Sequence, residues 1–294
     1  MKHRSKLNRV TAFDVILVVI MVLFCASIIL PFMHVIAVSL SHKFPVMRGE
    51  VLFWPIDFTL ENYKEMLSDS KFVQAYGVTI FVTVVGTFLS LSTTAMAAYA
   101  LSRRKIVGHN LFSTMIMITM FFGGGMVPTY MLVSDLGLID NLWALILPGM
   151  ISTWNLIIMR SFFVAYPQEI VESGYLDGLT DAGVFLRLVL PTSKAALATI
   201  GLYYAVAYWN SYMGARLYIR DPDLMPAQQL LQKMMDQFKE LGNGAGGETA
   251  DETALVPASA RNCAILIVIA AIMCVYPFIQ KYFVKGVMVG SIKG

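Results

Sequence analysis

Apolar residues run along this chain in long blocks from which ionised side chains are missing. No Asp, Glu, Lys or Arg occurs between Asp14 and Lys43, and five further gaps follow: Phe72 to Ser102, Ile106 to Ser134, Asn141 to Met159, Ala195 to Ala215 and Asn262 to Gln280. Each gap is at least 19 residues long. At about 1.5 Å of rise per residue, about 19 to 21 helical residues cover the roughly 30 Å hydrocarbon core of a bilayer. The pattern predicts an all-α integral membrane protein with six transmembrane helices.

The first block also has the look of a signal peptide, because Lys2, Arg4, Lys6 and Arg9 precede an apolar core. Against that, the stretch from Val15 to Leu30 is long and closes on no A-x-A-like cleavage site, and Phe24 stands before Cys25 where a lipoprotein site needs a small residue. A retained first helix is the expectation. Orientation follows from the basic residues near the span ends. With the N-terminus inside, thirteen of the 22 Lys and Arg residues fall in short inner segments: the four just named, Arg103 to Lys105, the group Arg160, Arg187 and Lys194, and the group Lys281, Lys285 and Lys293. Both termini are expected in the cytoplasm.

The expected organisation is a cytoplasmic segment over 1–12, a first span over 13–38, an extracellular loop over 39–71, a core of five spans over 72–284 and a cytoplasmic tail over 285–294. Loop 39–71 carries Trp54, Pro55 and the Asp57 to Tyr63 stretch and reads as a small folded cap. Within the core, an extracellular loop over 213–261 holds an amphipathic helix near Ala227 to Leu241, with Leu230, Met234, Phe238 and Leu241 on one face. It rests either on a membrane or partner surface or on the protein's own outer mouth. The Gly242 to Gly247 run after it reads as a flexible linker. A cytoplasmic loop over 165–194 is long where the other inner turns are tight, and coupling is sought there.

Composition narrows the chemistry. Of 294 residues 57% are hydrophobic and 14% charged, against roughly 25% charged in an ordinary soluble domain, which rules out a water-soluble enzyme. The net charge of +3 comes without a dense basic block, so nucleic acid is not expected as a partner. Cys25, Cys263 and Cys274 sit in apolar runs and form no metal-binding spacing. No Lys follows the glycines of 242–247 as a phosphate loop requires, and neither HExxH nor GxSxG occurs. No catalytic residues, no metal site and no cofactor of the chain's own are expected.

Loop 165–194 reads Pro167-Gln-Glu-Ile-Val-Glu172-Ser-Gly-Tyr-Leu-Asp177-Gly178, then Leu-Thr-Asp-Ala-Gly-Val-Phe185-Leu-Arg187-Leu-Val-Leu190-Pro191. Pro167 suits a first helical turn and Asp177-Gly178 a tight turn, so a short helix, a turn and a second helix leading into span five are predicted. The spacing of Glu172, Gly178, Leu190 and Pro191 resembles the EAA signature, E-A-A-x3-G-x9-I-x-L-P, of binding-protein-dependent ABC importer permeases. Ser173 and Gly174 stand for its alanines and Leu188 for its isoleucine, and Gly174 loosens the helix by about 1 kcal/mol relative to Ala. Pro128-Thr-Tyr130, Leu136-Gly-Leu138, Leu145-Ile-Leu-Pro148, Trp154-Asn155 and Met159-Arg-Ser-Phe-Phe163 resemble the carbohydrate-importer permeases of the maltose-system type. The tail from Pro277 to Gly294 resembles the LplC or YtcP-like subgroup, associated with complex oligosaccharides, pectin- or alginate-derived uronides among them.

The resemblance implies a type I importer permease in the bacterial cell membrane. Its implied partners are a second homologous permease, two ABC ATPase subunits that bind the ATP and Mg, an extracellular solute-binding lipoprotein and an oligosaccharide. The ATPase-coupling residues it implies are Glu172, Ser173, Gly174, Asp177, Gly178, Leu190 and Pro191. Sugars are held by aromatic faces and by amide or hydroxyl groups, so Tyr130, Asn155, Tyr204, Tyr208, Trp209 and Asn210 are candidates for a path bounded by spans three to five; an interfacial belt or partner packing is the other reading of these aromatics. A secondary transporter is the rival function, which the lack of ionisable residues well inside any span disfavours.

Overall fold

The computed structural model describes residues 12–103, 108–242 and 258–291. The basic residues Lys2 to Arg9, Arg104 and Lys105, the run from 243 to 257 with most of the expected linker, and Lys293 lie outside them. Among the described residues the chain is helical, with one isolated antiparallel bridge between Ser41 and Phe58. It divides into two compact units, one taking in the residues up to Asp69 with Met234–Ile267, the other Ser70–Lys233 with the residues from Val268 on.

In the first unit α1 (Ala12–Ser39) is 28 residues long and largely apolar after Asp14, about 42 Å of helix. Only its last three residues, Ala37, Val38 and Ser39, are buried. They meet a cap built from α2 (Lys43–Met47) and α3 (Glu61–Ser68). Asn62 at the start of α3 is buried and donates its amide N–H groups to the carbonyls of Ser39 and Ser41, at 3.0 Å each. Ser41 donates to Ala37 and accepts from the Ile56 amide, and Ser39 bonds the Tyr63 hydroxyl. Every buried polar group in this turn thus finds a partner, as the low dielectric demands. Loop one is therefore a folded cap, with Trp54 on its exterior at 76% exposure.

The second unit is built round α4 (Ser70–Ser102). Its buried face, Ala75, Thr79, Val82, Gly86, Ser90, Thr94 and Ala98, repeats every three or four residues and is mostly small, which lets neighbouring helices approach closely in an apolar medium where packing replaces the hydrophobic effect. Against it lie α8 (Thr153–Val164) and α12 (Lys194–Trp209). Between α4 and α8 run α5 (His109–Phe121), α6 (Met126–Asp135) and the short α7 (Trp143–Ile146); the loop 165–194 forms α9 (Gln168–Leu176), α10 (Asp181–Val184), a π turn over Phe185–Val189 and α11 (Leu190–Thr192). After α12 come α13 (Tyr212–Tyr218), α14 (Ala227–Gly242) and α15 (Ala258–Ser291).

The spans are less regular than the uncharged gaps suggest. Among the described residues α1 and α4 are long and apolar enough to cross a membrane, and up to four segments are if each bent helix pair counts as one span. Helices α5 and α6 bend by 112° across Phe122–Gly125, where Phe122 turns extended after α5 and Gly125, at a positive φ of 86°, leads into α6. The expected span over 141–159 is α7, a non-helical stretch from Leu147 to Ser152 holding Pro148 and Gly149, and α8. A further bend of 82° separates residues 181–192 from α12 at Ser193, just beyond Pro191 and the π turn, two recognised causes of helix kinks. Among the described residues, then, three of these gaps fold as broken or bent helices.

Candidate functional site

The loop 165–194 folds as an elbow. Pro167 precedes α9, and Val171 and Gly174 form the buried face of that helix while Glu172, Ser173, Tyr175 and Leu176 are exposed. The helix ends in a Schellman closure: the Gly178 amide donates to Tyr175 O at 3.0 Å and the Leu179 amide to Gly174 O at 2.9 Å. Gly178 has φ +77° and open space where a Cβ would be, so glycine is required there for conformation and not for room. Asp177, the C-cap, is exposed. Thr180 then caps α10 by accepting the Gly183 amide at 3.2 Å. Leu190 is half-buried against the core and Pro191 is exposed before the bend.

Gly174 is where the two halves of the elbow touch. A Cβ there would lie 2.7 Å from Leu188 Cδ1 and 3.2 Å from Val184 Cγ2. The space of the missing methyl is filled by Leu188, so the two departures from the signature, Gly174 and Leu188, compensate each other in volume. Across the turn the Tyr175 hydroxyl donates to the Asp181 carboxylate at 2.5 Å, which pushes the tyrosine up to about 12 and keeps its proton in place.

The elbow presents an outer surface of Glu172, Ser173, Asp177 and two large side chains that the motif spacing does not single out, Tyr175 at 42% and Leu176 at 89% exposure. A leucine this exposed at the tip of an ordered turn is the apolar feature of that surface. Sequence reasoning passed over it because one leucine in an amphipathic helix carries no signal of its own.

The six path candidates fall into distinct environments. Tyr204 and Tyr208 are 2% and 7% exposed and their hydroxyls are engaged. Tyr204 accepts from the Ser152 amide at 2.9 Å and pairs with Thr94 at 2.7 Å; Tyr208 donates to Ile146 O at 3.2 Å and pairs with Ser90 at 2.8 Å. The two tyrosines therefore hold both ends of the non-helical stretch of 147–152 against α4, satisfying backbone groups that a continuous helix would have satisfied itself. Gly86 makes room for this: a Cβ there would lie 2.8 Å from Tyr208 Cζ. Asn155 is buried in the first turn of α8, where its backbone N–H donates to the capping Ser152 hydroxyl at 3.4 Å. Trp209 is buried edge-on against Tyr76 at 5.8 Å, its indole N–H without a partner.

Asn210 is exposed, its amide donating to Val206 O at 2.9 Å. Tyr130 is half-buried, stacked on Tyr218 at 6.2 Å, and accepts from the Arg220 guanidinium at 2.9 Å. The same corner is knotted by Asp140, whose carboxylate takes the backbone N–H groups of Arg220 and Asp221. Those bonds hold it below the usual carboxylate range. Tyr130 and Asn210 are thus not brought together with the buried set. Trp154, at 58% exposure, and the exposed residues of Gly123–Gly125 and Leu147–Gly149 border the two helix breaks, which the Thr119–Thr153 hydroxyl pair links at 3.2 Å. Among the described residues no group of three or more His, Cys, Asp or Glu is placed to hold a metal ion.

No family model matches the chain. It is 40% identical over 292 residues to the protein LplC of Bacillus subtilis, covering 99% of this chain and 98% of that one. It is 39% identical over 285 residues to the polygalacturonan/rhamnogalacturonan transport system permease protein YtcP of the same organism, covering 96% and 98%. Among solved structures, a chain of a bacterial ABC transporter involved in the import of the acidic polysaccharide alginate superposes with a TM-score of 0.84 at 30% identity, over 96% of this chain and all of that one. A helical chain with the EAA spacing folded into an elbow, matched almost end to end by these proteins, belongs to the family of sugar ABC transporter permeases, transport subunits and not enzymes.

Proposed function

We propose that the chain is one of two permeases in an ATP-driven importer of acidic oligosaccharides, pectin- or alginate-derived uronides, in a bacterial cell membrane. Six crossings with both termini in the cytoplasm are part of this reading, the broken helix pairs counting as spans. The partners are a second homologous permease, two ABC ATPases that bind ATP and Mg, and an extracellular solute-binding lipoprotein. The uronide class is supported by the transport systems of two similar proteins, for polygalacturonan/rhamnogalacturonan and for alginate.

The observation that carries the reading is the elbow. A rigid turn with Glu172, Leu176 and Asp177 exposed on one side and an 82° bend at its far end is built to be gripped by another protein. ATP-driven closure of the ATPases moves the elbow, and the bend at Ser193 passes that displacement to α12 and its tyrosines. These hold the break in span four, so the helices lining the path shift together. Non-helical backbone at membrane depth is tolerated where it is packed in protein or borders water. The path accordingly runs along the breaks at 122–125 and 147–152, with Asn155, Tyr204, Tyr208 and Trp209 shaping its wall and Tyr130 and Asn210 toward its outer end.

Gly178→Asp tests the reading, because a side chain at φ +77° strains the turn by about 1–2 kcal/mol without touching the core. The expected result is a complex that assembles and has lost substrate-stimulated ATP hydrolysis. Normal stimulation in that variant would overturn the assignment of the elbow.

A further inference from the structure

The elbow is joined covalently to α8 and α12, and a side chain that no motif marks packs it against the central helix α4. Tyr99, one turn from the cytoplasmic end of α4, is 8% exposed. Its ring packs on Phe185 of the elbow at 4.8 Å and edge-on against Phe163 of α8 at 6.2 Å, and Phe163 and Phe185 close the triangle at 6.4 Å. Its hydroxyl lies 3.5 Å from the Asp181 carbonyl, the residue whose carboxylate takes the Tyr175 hydroxyl. From the other side Arg103 donates to the Tyr99 hydroxyl at 2.7 Å and sets its guanidinium over the ring, 4.7 Å from the centroid. Three helices of distant sequence thus meet on one aromatic ring.

We infer that Tyr99 is the positioning residue by which the coupling elbow carries α4 with it. The inference rests on the elbow's being the ATPase-coupling element. Without this wedge the elbow would still be tethered to α12, but through a joint already bent by 82°, where a displacement is absorbed as a change of angle. With it, displacement of the Asp181–Val189 segment pushes directly on the end of a 33-residue helix against which α8 and α12 are packed. The ring is the wedge, Arg103 lies over its face, and the packed aromatic triangle leaves it no slack.

The test is the amount of oligosaccharide transported per ATP hydrolysed by the full complex in proteoliposomes, with co-purifying ATPase as the measure of assembly. Tyr99→Ala is expected to keep the ATPase bound and hydrolysing while the transport ratio falls at least about threefold. Tyr99→Phe keeps the ring contacts and is expected to restore the ratio, with co-purifying ATPase in each variant separating lost coupling from lost assembly. A wild-type ratio in Tyr99→Ala, or no recovery in Tyr99→Phe, overturns the inference. Should Tyr99→Ala fail to assemble, Tyr99→Leu is measured in its place with the same outcomes. Gly178→Asp serves as the control: if it uncouples and Tyr99→Ala does not, the role of Tyr99 alone fails; if neither uncouples, the elbow's coupling role fails with it.

Discussion

Replacing Gly174 by alanine restores the residue that the EAA signature carries at this position, and the structure says that the restoration is not free. In an isolated helix the change stabilises by about 1 kcal/mol. Here the new methyl lies 2.7 Å from Leu188 Cδ1 and 3.2 Å from Val184 Cγ2. Val184 is fully buried and stiff at χ1, so Leu188, half-buried and with a flexible end, has to give way. Overpacking of this kind costs about 1–3 kcal/mol, which leaves Gly174→Ala neutral to roughly 2 kcal/mol destabilising. Leu188→Ile, which moves the branch toward the backbone, vacates the contact. Alone it opens a gap beside Gly174 and costs about 1 kcal/mol, whereas with Gly174→Ala it recovers the signature pair. The assay is a double-mutant cycle on the thermal midpoint of the purified complex. The double variant is expected to be more stable than the single effects add up to, by about 1 kcal/mol or more. Additivity within about 0.5 kcal/mol would refute the claim that the two departures compensate each other.

At the helix interface, Gly86→Ala would set a methyl 2.8 Å from a ring anchored at its hydroxyl by Ser90 and Ile146; a destabilisation of about 1–3 kcal/mol is expected, read as a lowered thermal midpoint. Tyr208→Phe removes the donor to the Ile146 carbonyl and leaves that buried group unpaired, at about 1–3 kcal/mol, with faster amide exchange over 147–152 as its local signature. Beside Tyr130 and Tyr218 the Asp140 carboxyl is held low first by the Arg220 amide, then by that of Asp221. Its contribution is therefore present at neutral pH and lost as the pH falls through the depressed value, below about 4. Protection of the Arg220 and Asp221 amides from exchange, taken relative to the intrinsic rate at each pH, should fall in acid, and Asp140→Ala should lack it at every pH.

What was legible in the sequence was the elbow more than the spans. Asp177-Gly178 fixed the turn because a positive φ selects glycine, and Leu190-Pro191 announced a break that falls two residues later at Ser193. The uncharged gaps marked the apolar stretches but say nothing of helix continuity. The glycines at 123–125 and the Pro148-Gly149 pair lay inside those gaps and are what bend or interrupt the helices. Tyr204 and Tyr208 were readable as one helical face by their spacing. Their partners Thr94 and Ser90 stand 110 and 118 residues away, and no local pattern records such a pairing. Tyr99 was invisible for the same reason: its role comes from Phe163, Phe185 and Asp181, which only the fold brings to it.

The most direct measurement is the ATPase activity of the co-expressed, reconstituted complex, with and without its solute-binding protein, across a panel of uronic and neutral oligosaccharides. The account predicts stimulation by the uronic class, dependent on the binding protein and abolished by Gly178→Asp. Failure of any ATPase to associate with the chain, or stimulation that survives Gly178→Asp, would contradict it.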